Sequence, residues 1–87
     1  GMILSNEPGY YKEGYFGIRI ENLVYIKKNK FEELTVAPIE KDLINKKILN
    51  SNEIKWVNNY HKKVRKNLFK FMNTNEKIDL VKACSPI

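Results

Sequence analysis

The chain has 87 residues, which is enough for one small domain that buries only about 60 per cent of the surface of its unfolded chain. It carries a formal net charge of +6 at pH 7, and its single cysteine, Cys84, cannot form an internal disulfide. Because no apolar run approaches the roughly 18 residues of a membrane span, we expect a soluble, cytoplasmic protein with a reduced thiol.

The first half of the chain is predicted to consist of strands. Met2–Glu7 is a short strand that ends at Pro8-Gly9 and leads through a turn into a return strand. Phe16–Ile26 has apolar residues at its even positions, as expected for an antiparallel strand with one side facing a core. Lys27–Lys30 is predicted to be the turn into a further strand through Phe31–Pro38, where the proline ends the strand or restricts it to an edge.

The second half contains the strongest helix signal. After a surface connector over residues 41–50, Asn50 and Glu53 have the spacing of a capping box. We therefore predict an amphipathic helix over Ser51–Met72, followed by a short helix over Glu76–Ala83. The apolar stripe of the long helix recurs at three and four residues through Ile54, Val57, His61, Val64, Leu68 and Phe71. On that stripe His61 is expected to be a packed, hydrogen-bonded core residue and not a metal ligand, because no acidic residue or second histidine lies one turn away.

These elements predict an α+β fold, in which a small, mostly antiparallel sheet packs against a long amphipathic C-terminal helix. Residues 1–40 are predicted to form a β-rich part, and residues 41–87 a helical extension that packs on it.

Two carboxylates are candidates for chemistry. Glu7 ends the first strand, and Glu21 lies with Arg19 on the face opposite the apolar row of its own strand, so a hairpin can bring the two glutamates side by side. Paired carboxylates repel unless one is protonated or a cation lies between them, and an oxygen-rich site favours manganese, magnesium or calcium. On strand parity alone, the favoured interpretation is two solvent-facing glutamates with Arg19 as a salt-bridge partner.

Five segments of this chain resemble, in order, the carboxy-terminal end of the Xaa-Pro aminopeptidase (aminopeptidase P) family, metallopeptidases of the pita-bread fold. The segments are Asn6–Tyr11, Phe16–Val24, Leu34–Ile39, Trp56–His61 and Ser85–Ile87. The resemblance covers essentially the whole chain and implies that it is the C-terminal fragment of a pita-bread fold.

By this resemblance, Glu7 and Glu21 are ligands of a dinuclear metal centre that usually contains Mn2+. Glu21 bridges the two ions, while Glu7 binds one of them and has the proposed role of general base. Arg19 orients a ligating carboxylate, as residues next to metal ligands commonly do. The implied reaction removes the first residue of a peptide whose second residue is proline, by attack of a metal-bridging hydroxide on the scissile carbonyl.

The chain departs from the family pattern because the upstream ligands, two aspartates and a histidine, have no counterpart here. Asp42, Asp79 and His61 do not lie in motifs that resemble those ligands. Two glutamates alone hold a divalent ion weakly, so we expect the chain to be inactive by itself. The expected partners are the missing N-terminal part of the enzyme or a second copy of this chain, because the sheet side with Tyr10, Tyr11, Leu23 and Tyr25 would otherwise lack cover.

Two other function classes compete with this interpretation. One is a non-catalytic orphan domain that acts in self-association. The other is a basic module for nucleic acid or an anionic membrane, suggested by the polar side of the long helix. That side contains Lys55, Lys62, Lys63, Arg65, Lys66 and Lys70. Only two of the 16 basic residues are arginines, which phosphate and base recognition favour, so we predict no nucleic acid and no membrane as partners.

Overall fold

The computed structural model describes residues 1–87 and divides into two compact units, Gly1–Thr35 and Val36–Ile87. The first unit contains only strands and turns, and the second contains helices. The fold is therefore α+β, as the sequence predicts. The proposed division between residues 40 and 41 remains a prediction about domain organisation. None of the helices combines the length and the apolar character that crossing a membrane would require.

The strand unit contains a three-stranded sheet and a two-stranded sheet, both antiparallel. Its strands are β1 (Ile3–Asn6), β2 (Gly9–Lys12), β3 (Phe16–Arg19), β4 (Asn22–Lys27) and β5 (Lys30–Glu33). The order in the larger sheet is β1-β4-β5, and β2 pairs with β3 in the smaller one. The predicted turn before β5 is confirmed: Lys28 and Asn29 have φ values of 49° and 64°, as a tight two-residue hairpin loop requires.

The two sheets share one hairpin register. Ile3 pairs with Tyr25 in the larger sheet, and Gly9 pairs with Arg19 in the smaller sheet. The two residue numbers of each pair have the same sum, so both sheets follow one register. β1 and β2 form one arm of a single hairpin, β3 and β4 form the other arm, and the pairing between the arms is interrupted. The odd-numbered residues of both arms therefore share one face.

The interruption of the hairpin lies at the candidate carboxylates. Continuing the shared register through the gap places Glu7 opposite Glu21 and Pro8 opposite Ile20. The Ile20 N–H donates to the Pro8 carbonyl oxygen at 3.1 Å. Proline has no N–H, so Pro8 cannot return a ladder hydrogen bond and regular pairing stops here.

Two strand predictions were wrong in their bounds. The predicted strand Phe16–Ile26 is divided into β3 and β4, and its apolar row is largely exposed: Phe16 is 57% and Ile18 45% exposed, whereas Val24 is 8% exposed. The strand predicted over Phe31–Pro38 is only β5, which ends at Glu33. Alternating hydrophobicity indicated the buried side at Val24, but it could not indicate where pairing stops or that Phe16 and Ile18 lie exposed.

The helical unit contains two α-helices and three 3-10 turns. The helices are α1 (Ser51–Leu68) and α2 (Thr74–Ala83), and the turns are Lys41–Leu43, Lys46–Ile48 and Phe69–Phe71. The predicted capping box is confirmed, since the Glu53 N–H donates to Asn50 Oδ1 at 2.8 Å and the Asn50 N–H donates to Glu53 Oε1 at 2.9 Å. The long helix was predicted to continue to Met72, but α1 ends at Leu68 and the last turn tightens into a 3-10 helix.

The core of the helical unit lies between α1 and α2. Its buried members are Tyr60, Val64, Leu80 and Cys84. Ile39, Leu68 and Met72 pack against this cluster. The Tyr60 hydroxyl donates to the Ala37 carbonyl oxygen at 2.7 Å, and burial raises the pKa of the Cys84 thiol, which is unpaired as predicted.

His61 is completely buried in this unit and hydrogen-bonded, which confirms the prediction of a core histidine. Its Nε2 accepts the Ile39 N–H at 3.0 Å, so the neutral ring carries its proton on Nδ1, and Nδ1 has no hydrogen-bond partner. Burial lowers the pKa of His61, and the nearby positive charge of Lys41 lowers that pKa further.

Candidate metal site

Glu7, Arg19 and Glu21 meet at the interruption of the hairpin. Arg19 Nη1 lies 3.4 Å from Glu7 Oε1, and Arg19 Nη2 lies 2.9 Å from Glu21 Oε2. One guanidinium therefore contacts both carboxylates. The three side chains are 39–50% exposed, so the cluster is open to solvent on this chain. The structure thus brings together all three residues that the sequence singled out for the site.

The charges in this cluster do not cancel. Glu21 and then Glu7 raise the pKa of Arg19, which keeps the guanidinium positively charged. Two carboxylates and one guanidinium leave a net charge of −1, which can attract a cation. The same contacts also fit two strand glutamates held by a surface salt bridge, which contributes little to stability when it is exposed.

Tyr11 supports Arg19 from the same face of the hairpin. After Glu21 and Glu7, the Tyr11 side chain also contributes to the raised pKa of that guanidinium. The ring needs the two glycines opposite and beside it: a Cβ at Gly17 would lie 2.5 Å from Tyr11 Cδ1, and a Cβ at Gly9 would lie 2.9 Å from Tyr11 Oη. The sequence did not predict this role of Tyr11. The signal for it is that Tyr11 and Arg19 are both odd-numbered, as are Gly9 and Gly17.

Ser5 contacts the other side of Glu7. Its hydroxyl donates to Glu7 Oε2 at 2.5 Å, while Glu7 Oε1 faces Arg19. This residue was also missed. The sequence signal for Ser5 is its position two residues before Glu7, because side chains two residues apart on a strand point to the same side.

The donor set suits a hard divalent cation but is small. Carboxylate oxygens are ligands that Mn2+, Mg2+ and Ca2+ accept, and Glu7 and Glu21 supply them from opposite arms of the hairpin. The chain contains no group of three or more histidine, cysteine, aspartate or glutamate side chains that could hold a metal ion. Asp42 lies in a 3-10 turn and Asp79 in α2, so neither enlarges the set. The residues present fit two ligands of a metal centre and do not complete one.

Comparisons with known proteins agree along the whole chain. A family model described as the C-terminal region of peptidase M24 matches residues 27–87, and a model of metallopeptidase family M24 matches residues 1–28. A probable Xaa-Pro aminopeptidase P from Coprinopsis cinerea is 46% identical over 76 residues, which cover 74% of this chain and 12% of that protein. A putative Xaa-Pro aminopeptidase from Saccharomyces cerevisiae is 47% identical over 79 residues, which cover 83% of this chain and 10% of that protein.

A solved structure extends the similarity to the fold. The crystal structure of X-prolyl aminopeptidase from Caenorhabditis elegans, described as a cytosolic enzyme with a di-nuclear active site, matches with a TM-score of 0.79 at 36% identity. The match covers 98% of this chain and 16% of the nematode chain. This chain therefore spans between about a tenth and a sixth of the length of these similar proteins.

Proposed function

The chain belongs to the M24 metallopeptidase family, as the carboxy-terminal part of an Xaa-Pro aminopeptidase with the pita-bread fold, and from this premise we propose that it supplies one side of a dinuclear metal centre. The proposed activity of the whole protein is hydrolysis of the peptide bond between an N-terminal residue and a proline in second position. We propose a cytoplasmic location for it, by analogy with the nematode enzyme.

The observation that carries the proposal is the contact of one guanidinium with two carboxylates at the break of the hairpin. In this proposal Glu21 would be a ligand shared by two ions, Glu7 would be a ligand of one ion and the general base, and Arg19 would hold both carboxylates in place. Two divalent ions, which we propose to be Mn2+, would supply Lewis acidity for the water and for the developing oxyanion. The hairpin register supports the proposal, because it places Glu7 opposite Glu21 on the two arms.

This chain alone is proposed to be catalytically inactive. Its two carboxylates leave most coordination positions of a divalent ion to water, and tight sites need several protein donors. No further cluster of metal-ligating side chains is present to replace them. The activity therefore requires ligands from a longer chain or from a partner, and the isolated chain should release no N-terminal residue from a peptide with proline second.

Metal binding by the isolated chain tests the assignment of the two glutamates. We expect weak Mn2+ binding, which is measured through the electron paramagnetic resonance signal of free Mn2+. Glu7→Gln and Glu21→Gln should each weaken that binding by roughly tenfold, because each removes one of two charged ligands. Glu13→Gln is the matched control, since Glu13 lies in the exposed turn between β2 and β3. Equal binding by all variants, or an equal loss in the control, would refute the assignment.

A second candidate function is association through the strand unit. Tyr11 and Leu23, on the odd-numbered face of the hairpin, are 65% and 45% exposed, and Tyr10, on the opposite face, is 61% exposed. The predicted single side with Tyr10 and Tyr11 together is therefore two faces, and apolar side chains lie open on both. Exposed apolar clusters of this kind are typical of surfaces that bind a partner. The proposed occupants are the missing N-terminal part of the enzyme or, in its absence, a second copy of the chain. Light scattering across a concentration series decides the second possibility, and a monomer at every concentration excludes it.

A further inference from the structure

The two oxygens of the Glu7 carboxylate have different partners. Oε2 accepts the hydroxyl of Ser5 at 2.5 Å, and Oε1 lies 3.4 Å from Arg19 Nη1. A glutamate side chain has three rotatable bonds, and ordering it costs conformational entropy. A fixed partner at each oxygen restricts both the position of the carboxylate and the rotation of its plane.

From this arrangement we propose that Ser5 is a positioning residue for the metal ligand Glu7, because its hydroxyl holds Oε2 while Oε1 lies on the side of Arg19. The inference rests on the proposed function, because it assumes that Glu7 is a ligand. Ser5 is not itself a ligand in this proposal. It acts through Glu7 Oε2 and makes no contact with Oε1, which lies on the side of Arg19.

The backbone at Ser5 is well placed for this role. Ser5 pairs with Leu23 in the register of β1 and β4. Leu23 is held in turn on the side of β5, since its N–H donates to Thr35 Oγ1 at 2.7 Å and its carbonyl oxygen accepts the Leu34 N–H at 2.7 Å. The serine hydroxyl therefore projects from edge strand β1, at a position paired with the middle strand β4 of the three-stranded sheet, whereas Glu7 lies just beyond the regular part of β1.

The chemistry of a hydroxyl also fits. Arg19 orients carboxylates but brings a positive charge, which repels a cation in the same site. Ser5 donates a hydrogen bond to a carboxylate and adds no charge, so it can order Glu7 at no electrostatic cost to metal binding. Residues that orient a ligand in this way commonly contribute about tenfold or more to metal affinity.

The test uses the 87-residue chain and three variants. Ser5→Ala removes the hydroxyl, Ser5→Thr keeps it, and Ser51→Ala is the control at an exposed serine in the first turn of α1. The first readout is the carboxyl carbon signal of Glu7 by NMR without metal. We expect that signal to move toward the position of exposed Glu13 in Ser5→Ala, and to keep its position in Ser5→Thr and in the control. An unmoved Glu7 signal in Ser5→Ala overturns the proposal.

The second readout is the broadening of the Glu7 and Glu21 carboxyl signals by Mn2+. Ser5→Ala should require roughly threefold to tenfold more Mn2+ to broaden Glu7, and Ser5→Thr should behave like the unmodified chain. Equal broadening in Ser5→Ala and the unmodified chain overturns the proposal. If Mn2+ broadens neither glutamate in any variant, the metal-ligand assignment fails, and the metal-free signal of Glu7 still decides whether Ser5 positions it.

Discussion

Acidification should destabilise the helical unit through His61. The ring is completely buried, and its Nε2 must be unprotonated to accept the Ile39 N–H at 3.0 Å. Burial and the charge of Lys41 both lower the pKa of His61 from its ordinary value near 6.5. The unfolded chain therefore binds a proton at a higher pH than the folded chain does. The contribution of His61 to stability is present above the unfolded pKa and is lost as pH falls below it.

The magnitude follows from linkage. A single group that is protonated in the unfolded state and neutral in the folded state changes the free energy of unfolding by about 1.36 kcal/mol per pH unit at most. His61 is the only histidine of the chain, and most carboxylates titrate below about pH 5. We therefore expect the free energy of unfolding to fall as the pH drops below about 6.5, with a slope of at most about 1.4 kcal/mol per pH unit.

The assay is urea unfolding at closely spaced pH values, followed by the fluorescence of Trp56, the single tryptophan, which lies in α1. His61→Gln is the matched variant, because its side-chain amide oxygen can accept the Ile39 N–H and does not titrate. This variant should be less stable at pH 7 but should lack the slope. A flat profile for the unmodified chain, or the same slope in His61→Gln, would refute the reasoning.

Two further predictions concern local structure. Gly17→Ala should destabilise the strand unit by roughly 1–3 kcal/mol, because the added Cβ would lie 2.5 Å from Tyr11 Cδ1 and must displace the ring that supports Arg19. Faster hydrogen exchange at the guanidinium of Arg19 would accompany the change, and unaltered exchange would argue against this support. Asn50→Ala should cost about 1 kcal/mol of thermal stability by removing the capping box of α1, whereas Asn52→Ala, inside the first turn, should have a much smaller effect. Similar losses in both asparagine variants would contradict the capping argument.

The sequence by itself determined the features that depend on neighbouring residues. The capping box at Asn50 and Glu53 forms through contacts three residues apart, so its spacing alone predicts the start of α1. The turn between Lys27 and Lys30 is equally local. Strand parity, together with the resemblance of the two segments to the family, was sufficient to select Glu7 and Glu21 as residues that a hairpin brings together.

Only the tertiary structure decided where regular pairing stops and what surrounds the glutamates. Period-two hydrophobicity continues through Ile20 and Glu21, yet the ladder breaks there, because pairing depends on the opposite arm, where Pro8 lacks an N–H. The contacts of Ser5 and Tyr11 depend on the register that places them on one face with the site. A register is fixed jointly by two distant segments, so no single segment of the sequence determines it.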